Sequence, residues 1–167
     1  MTLTLILTRH AKSSWGDANL EDHARPLNKR GRASAKAIGR WIADHGITPQ
    51  EVLCSDATRT RETWALVADK LIGAPTAQMK AALYLSDPET MLAQLKAATE
   101  PRVMMVAHNP GSAYMARRLA QEPHPHPKFH HYPTAATSVI TFPADRWSEV
   151  CWGSGTVTDF VVPRELI

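Results

Sequence analysis

The chain of 167 residues has only two cysteines, Cys54 and Cys151. That excludes a disulfide framework and points to two buried thiols in a reducing compartment. No apolar run is long enough to span a membrane. The N-terminus lacks a basic segment followed by an apolar stretch and a small-residue cleavage site, so secretion is not expected and a cytoplasmic location is. There is no block of like charge and no basic tail. The formal net charge is only +3, with basic residues in both halves. Nucleic-acid binding is therefore not the expectation, and a small anionic group such as a phosphate fits as well. No repeat and no linker divides the chain. A single domain over 1–167 is expected, long enough to bury about two-thirds of its unfolded surface.

What is present is organised around residues 3–14. Leu3, Leu5, Ile6 and Leu7 with interspersed Thr form a short apolar run that reads as a buried strand, and it ends in Arg9-His10. A helix is expected from about Asn28, its N-cap, to Asp44, with Gly46 as the stop. Residues 51–55 read as a second strand, running into a helix over about 57–71. A short strand over 78–83 is followed by a helix that Ser86 or Asp87 caps, with Pro88 in its first turn. Residues 102–107 form another apolar strand, ending at His108, with a helix over 112–120 beyond it. The Pro- and His-rich residues 122–133 read as a flexible rim loop. Residues 136–142, 148–152 and 156–162 look like closing strands.

Strands and helices alternate through the first two-thirds. The expected class is α/β, a single-domain three-layer sandwich whose largely parallel central sheet is flanked by helices. In open α/β sheets ligands bind at the carboxyl edge of the strands. Here that edge receives Arg9 and His10 from the first strand, Arg59 just after the second, and His108 from the strand over 102–107.

Those four side chains suit phosphoryl chemistry. Guanidinium forks match the oxygens of a transferring phosphoryl group. A neutral imidazole can attack phosphorus and form a phosphohistidine. Two flanking guanidiniums would hold His10 uncharged. A second histidine can clamp an oxygen or pass a proton. Electrostatic clamping would then do the work that a metal does elsewhere, so neither metal nor other cofactor is implied.

Thr8-Arg9-His10-Ala11-Lys12-Ser13 resembles the RHG-type nucleophile motif of the histidine phosphatase, or phosphoglycerate-mutase-like, superfamily. Arg25-Pro26-Leu27 with Arg30-Gly31, residues 55–59, and Val106-Ala107-His108-Asn109-Pro110-Gly111 extend the likeness to its small SixA-like branch. The resemblance implies His10 as nucleophile, Arg9 and Arg59 as phosphoryl ligands, and His108 as the second histidine. Ser13 and Trp15 match positions of the family motif, where Ser13 would contact substrate. Gly16 departs from the Asn that larger relatives carry, and Asn19 is the available replacement. Arg25 either contacts substrate at the rim or pins its loop. Relatives with alcohol leaving groups use a carboxylate after the second helix, for which Asp87 or Glu89 is available. The branch is associated with phosphohistidine phosphatase activity, so the implied partner is a phosphohistidine-bearing protein or a phosphorylated small molecule.

Other readings are weaker. Cys54 lacks the arginine that a Cys-x5-Arg phosphatase loop needs, since Thr60 stands there. Gly153-Ser154-Gly155 is followed by a strand pattern rather than a helix. His124, His126, His130 and His131 have no adjoining Cys or carboxylate for a metal site. Lys12 is either an anion-steering charge or a solvated one. The alternative function is a non-catalytic phosphate-recognition module on the same fold.

Overall fold

The computed structural model describes residues 2–167. Six strands form one sheet: β1 (Leu3–Arg9), β2 (Glu51–Ser55), β3 (Gln78–Lys80), β4 (Arg102–Ala107), β5 (Thr137–Phe142) and β6 (Thr156–Val161). Their order is β3-β2-β4-β1-β5-β6. The first four strands are mutually parallel, whereas β5 runs antiparallel to both β1 and β6. β1 and β4 are central and apolar on both faces, as strands covered from two sides must be.

The helices supply the two outer layers. α1 (Lys29–Asp44) and α2 (Thr58–Ala68) cover one face, burying Ile38, Ile42, Trp64 and Val67 against Ile6, Val52 and Val106. α3 (Pro88–Lys96) and α4 (Gly111–Leu119) cover the other, burying Met91, Leu95, Met115 and Leu119 against Leu5, Val103 and Met105. Asn28 caps α1 by accepting from the Gly31 amide at 2.8 Å, and Asp87 caps α3 by accepting from the Thr90 amide at 2.8 Å. No helix among the described residues is long and apolar enough to cross a membrane.

Several expectations need correcting. Residues 148–152 are not a strand: a 3-10 turn over Trp147–Glu149 sits there, because Trp147 is driven into the core and donates its indole N–H to the Glu100 carbonyl at 2.6 Å. The strand over 78–83 stops at Lys80 and continues as a 3-10 turn. The loop 122–133 is anchored rather than loose. Phe129 and Tyr132 are fully buried, and the Tyr132 hydroxyl donates to the Leu7 carbonyl at 2.6 Å. Cys54 is buried, but Cys151 is exposed.

The most demanding contact in the fold is between α1 and the segment after β1. A Cβ on Gly31 would lie 2.0 Å from the Lys12 carbonyl oxygen. Only glycine lets the helix come that close, and the Asn28 amide donates to the same carbonyl at 3.0 Å. Gly31 thus fixes the chain two residues beyond His10.

Candidate active site

β4 lies between β1 and β2, so the ends of these three strands are neighbours. His108 follows β4, His10 follows β1, and Arg59 is in the first turn of α2, four residues beyond the end of β2. The fold therefore gathers all four side chains that the sequence singles out. The His10 and His108 rings lie 5.3 Å apart between centroids. Both are nearly buried, as is Arg59.

His10 is fixed on both sides by its backbone. Its amide donates to the Ala107 carbonyl at 3.0 Å and its carbonyl accepts from the Ala135 amide at 2.9 Å. Its Nδ1 lies 2.7 Å from the Ala11 carbonyl. A carbonyl only accepts, so Nδ1 carries the proton and the lone pair sits on Nε2. The Ala11 amide in turn donates to Thr63 Oγ1 at 2.9 Å, tying this turn to α2. Burial lowers the His10 pKa to about 3, with Arg9, Arg59 and Arg25 adding to the effect and the Ala11 bond opposing it. The flanking guanidiniums do help keep His10 neutral, but burial is the larger cause.

His108 is oriented from the β2 side. Its Nε2 lies 2.7 Å from Ser55 Oγ. Its pKa is also lowered to about 3, first by burial and then by the proximity of His10 and Arg59. Arg9 donates from a terminal nitrogen to the Tyr132 carbonyl at 3.2 Å. Burial, then the charge of Arg59, hold its pKa below the usual value. Among the described residues, four buried side-chain polar atoms have no partner. Three of them belong to this cluster: Arg9 Nε, Arg59 Nε and His108 Nδ1. The fourth is Ser112 Oγ in the first turn of α4.

The sequence did not single out Asp22 or Tyr84, yet both stand at this site. Arg59 donates to the Asp22 carbonyl at 2.7 Å and to its carboxylate at 3.0 Å. The Tyr84 hydroxyl donates to the same carboxylate, and the Tyr84 ring packs edge-on against His108. Tyr84 first, then Arg59 and Arg25, hold the Asp22 carboxyl well below the usual carboxylate range, although its partial burial opposes this. Asp22 lies on a 3-10 turn, not at a strand end, and only its spacing of three from Arg25 hinted at a role.

Ser13 and Arg25 meet each other. Arg25 donates to Ser13 Oγ at 2.8 Å and to the Ser14 carbonyl at 3.1 Å, and it forks onto Asp22. Its guanidinium also stacks on Trp15, 3.5 Å from the ring centroid. Asn19 stays in its own loop, its amide donating to Asp17. Asp87 is engaged as the α3 cap, and Glu89 is ion-paired with Arg118 at 2.5 Å. Neither carboxylate is bonded to a side chain of the cluster. Burial pushes the Cys54 thiol up to about 12, so it is no nucleophile. In the His-rich loop, His126 pairs with Glu165 and His124 packs on Phe160.

The model of the histidine phosphatase superfamily (branch 1) matches residues 5–82. An uncharacterized protein of Mycobacterium tuberculosis is 31% identical over 172 residues, covering 93% of this chain and 99% of that protein. An uncharacterized chloroplastic protein of Arabidopsis thaliana is 56% identical over 59 residues, 35% of this chain and 27% of that protein. The chain thus spans about a quarter of the Arabidopsis protein and nearly all of the mycobacterial one. The solved structure of the protein histidine phosphatase SixA complexed with tungstate has the same fold. It matches with a TM-score of 0.81 and 23% identity, over 99% of this chain and 100% of that one.

Proposed function

The chain belongs to the histidine phosphatase superfamily, and from that premise we propose that it is a phosphatase that works through a phosphohistidine at position 10. One observation carries the reading. Arg9 Nε, Arg59 Nε and His108 Nδ1 are buried without partners around the uncharged His10. Burying polar nitrogens unpaired is costly, and an anionic phosphoryl group beside them offsets that cost. Tungstate, a tetrahedral oxyanion, is bound by the SixA protein that shares this fold.

In the proposed reaction the lone pair on His10 Nε2 attacks phosphorus while the bond from phosphorus to the leaving group breaks. Arg9 and Arg59 hold the peripheral oxygens, and their charge offsets that of the transferring group. His108, oriented by Ser55, contacts a further oxygen. Water then attacks the phosphohistidine, releasing inorganic phosphate and restoring the lone pair on Nε2. Ser13, joined to Arg25, holds the rim of the site, and Asp22 positions Arg59.

The leaving group needs a proton. Asp22 is the carboxylate nearest this chemistry, and its three donors keep it ionised. Asp87 and Glu89 are committed elsewhere. This favours a substrate that departs without a strong protein acid, such as a phosphohistidine, over an alkyl phosphoester. Hydrolysis of p-nitrophenyl phosphate and of a phosphohistidine peptide in EDTA tests the proposal. Turnover of both, lost in His10→Ala, is expected. Phosphate-analogue binding without turnover would instead identify a recognition module.

A further inference from the structure

A cavity opens between α1, the turn after β1 and the turn after β6. It has a volume of about 380 Å³ and its charged lining is Lys12, Arg30, Lys128 and Arg164. These come from four separate segments: the turn after β1, α1, the anchored loop, and the turn after β6. All four side chains belong to exposed residues. No Asp or Glu lines the cavity, and none of the four cations is in an ion pair among the described residues. Glu165, next to Arg164, is hydrogen-bonded to His126 at 3.1 Å and does not line the hollow. Four like charges brought to one hollow create a field that an anion relieves.

The hollow adjoins the site along the chain. Lys12 stands two residues beyond His10. Thr134, another lining residue, precedes Ala135, whose amide donates to the His10 carbonyl at 2.9 Å. Pro133, Val162, Pro163 and the Ile167 side chain add apolar wall, with hydroxyls from Ser34 and Thr134 between them. A bare inorganic anion has no use for that wall. A polypeptide segment that mixes carboxylates with apolar side chains satisfies both.

We infer that this basic hollow docks an acidic segment of a phosphorylated polypeptide, so that the substrate of the neighbouring site is a protein. The inference rests on the phosphatase reading and narrows its substrate class. Binding away from the reacting bond raises the local concentration of the phosphorylated side chain at His10. Charge of this kind also acts on association, so the preference weakens as salt rises.

Two tests together decide it. The first is fluorescence anisotropy of a labelled, unphosphorylated Glu- and Asp-rich peptide with interspersed leucines, on wild type and on His10→Ala. Both proteins bind it, and Arg30→Ser/Lys128→Ser/Arg164→Ser weakens binding by about tenfold or more. Each single Ser variant, checked by circular dichroism, gives a partial loss and guards against misfolding of the triple variant. The second compares kcat/KM for acidic and neutral peptides carrying phosphohistidine. The acidic peptide is preferred by about tenfold at low salt, and the triple variant loses that preference while turning over p-nitrophenyl phosphate unchanged.

Equal binding of acidic and neutral peptides, or full binding by the triple variant, overturns the inference. So does binding of tripolyphosphate in the hollow without binding of the peptide. Docking that persists while neither phosphopeptide is hydrolysed would sink the phosphohistidine reading and leave the docking surface standing. Hydrolysis without any acidic preference would do the reverse.

Discussion

Arg59 grips Asp22 twice, donating to its carbonyl oxygen at 2.7 Å and to its carboxylate at 3.0 Å. Both terminal nitrogens of the guanidinium are thereby directed at one residue of the 22–24 turn, and Nε is left buried and unpaired. The same carboxylate holds Arg25 and accepts from Tyr84. Asp22→Ala removes this anchor from two arginines at once. It should lower kcat/KM by about tenfold or more and weaken inhibition by tungstate. Asp22→Asn keeps an acceptor and should restore part of the loss. Steady-state kinetics of the two variants decide it, and an Asp22→Ala enzyme with wild-type tungstate affinity would refute the positioning role.

Acid should destabilise this protein through its histidines. His10 and His108 have pKa values near 3 in the fold, against an ordinary value of 6.5. Between those values the unfolded chain binds protons that the folded chain does not, so stability rises with pH there. It is fully present above about pH 6.5 and falls as pH drops toward 3, by about 1.4 kcal/mol per pH unit for each group at full effect. Denaturant titrations from neutral to acid pH read the slope. His10→Gln/His108→Gln should flatten it; an unchanged slope would mean that other groups dominate.

Ser55 lies 2.7 Å from His108 Nε2 and is itself fully buried. Ser55→Ala leaves that ring nitrogen without a partner, at a cost of about 1–3 kcal/mol. The ring also loses what orients it toward His10. We expect kcat to fall by about tenfold while KM for a small phosphoester changes little. Thermal denaturation alongside kinetics separates the two effects.

Gly31→Ala should be far worse than Gly46→Ala. At position 31 the new Cβ would meet the Lys12 carbonyl oxygen at 2.0 Å, so α1 or the turn after His10 has to move. Overpacking of this kind costs about 1–3 kcal/mol or more, and activity should fall with it. Gly46 has positive φ but open space around it. Its replacement should cost about 1 kcal/mol and leave turnover unchanged. Paired stability and activity measurements on both variants check the contrast.

The parts of the site legible in the sequence are those written in local pattern. β1 and β4 are apolar runs stopped by Arg9-His10 and by His108, and a strand end is a place that sequence can name. Asn28 was readable as a cap, and Asp87 as one of two candidates with Ser86, because capping is a short-range geometry. Asp22 and Tyr84 were not readable as a pair, since 62 residues separate them and the turns that carry them have no periodicity. Residues 148–152 misled for a related reason: β propensity is overridden once Trp147 finds a slot in the core. The loop 122–133 has the composition of a mobile segment, yet Phe129 and Tyr132 anchor it from within. Burial of His10 likewise depends on the whole fold, so the sequence suggested the guanidiniums and missed the larger cause.

The most direct measurement is to trap the intermediate. The protein is mixed with a phosphate-labelled phosphohistidine peptide, quenched in alkali, digested and sequenced by mass spectrometry. The account predicts an acid-labile, alkali-stable phosphoryl group on His10 that disappears in His10→Ala together with turnover. Label on another residue, or turnover that survives in His10→Ala, would contradict it.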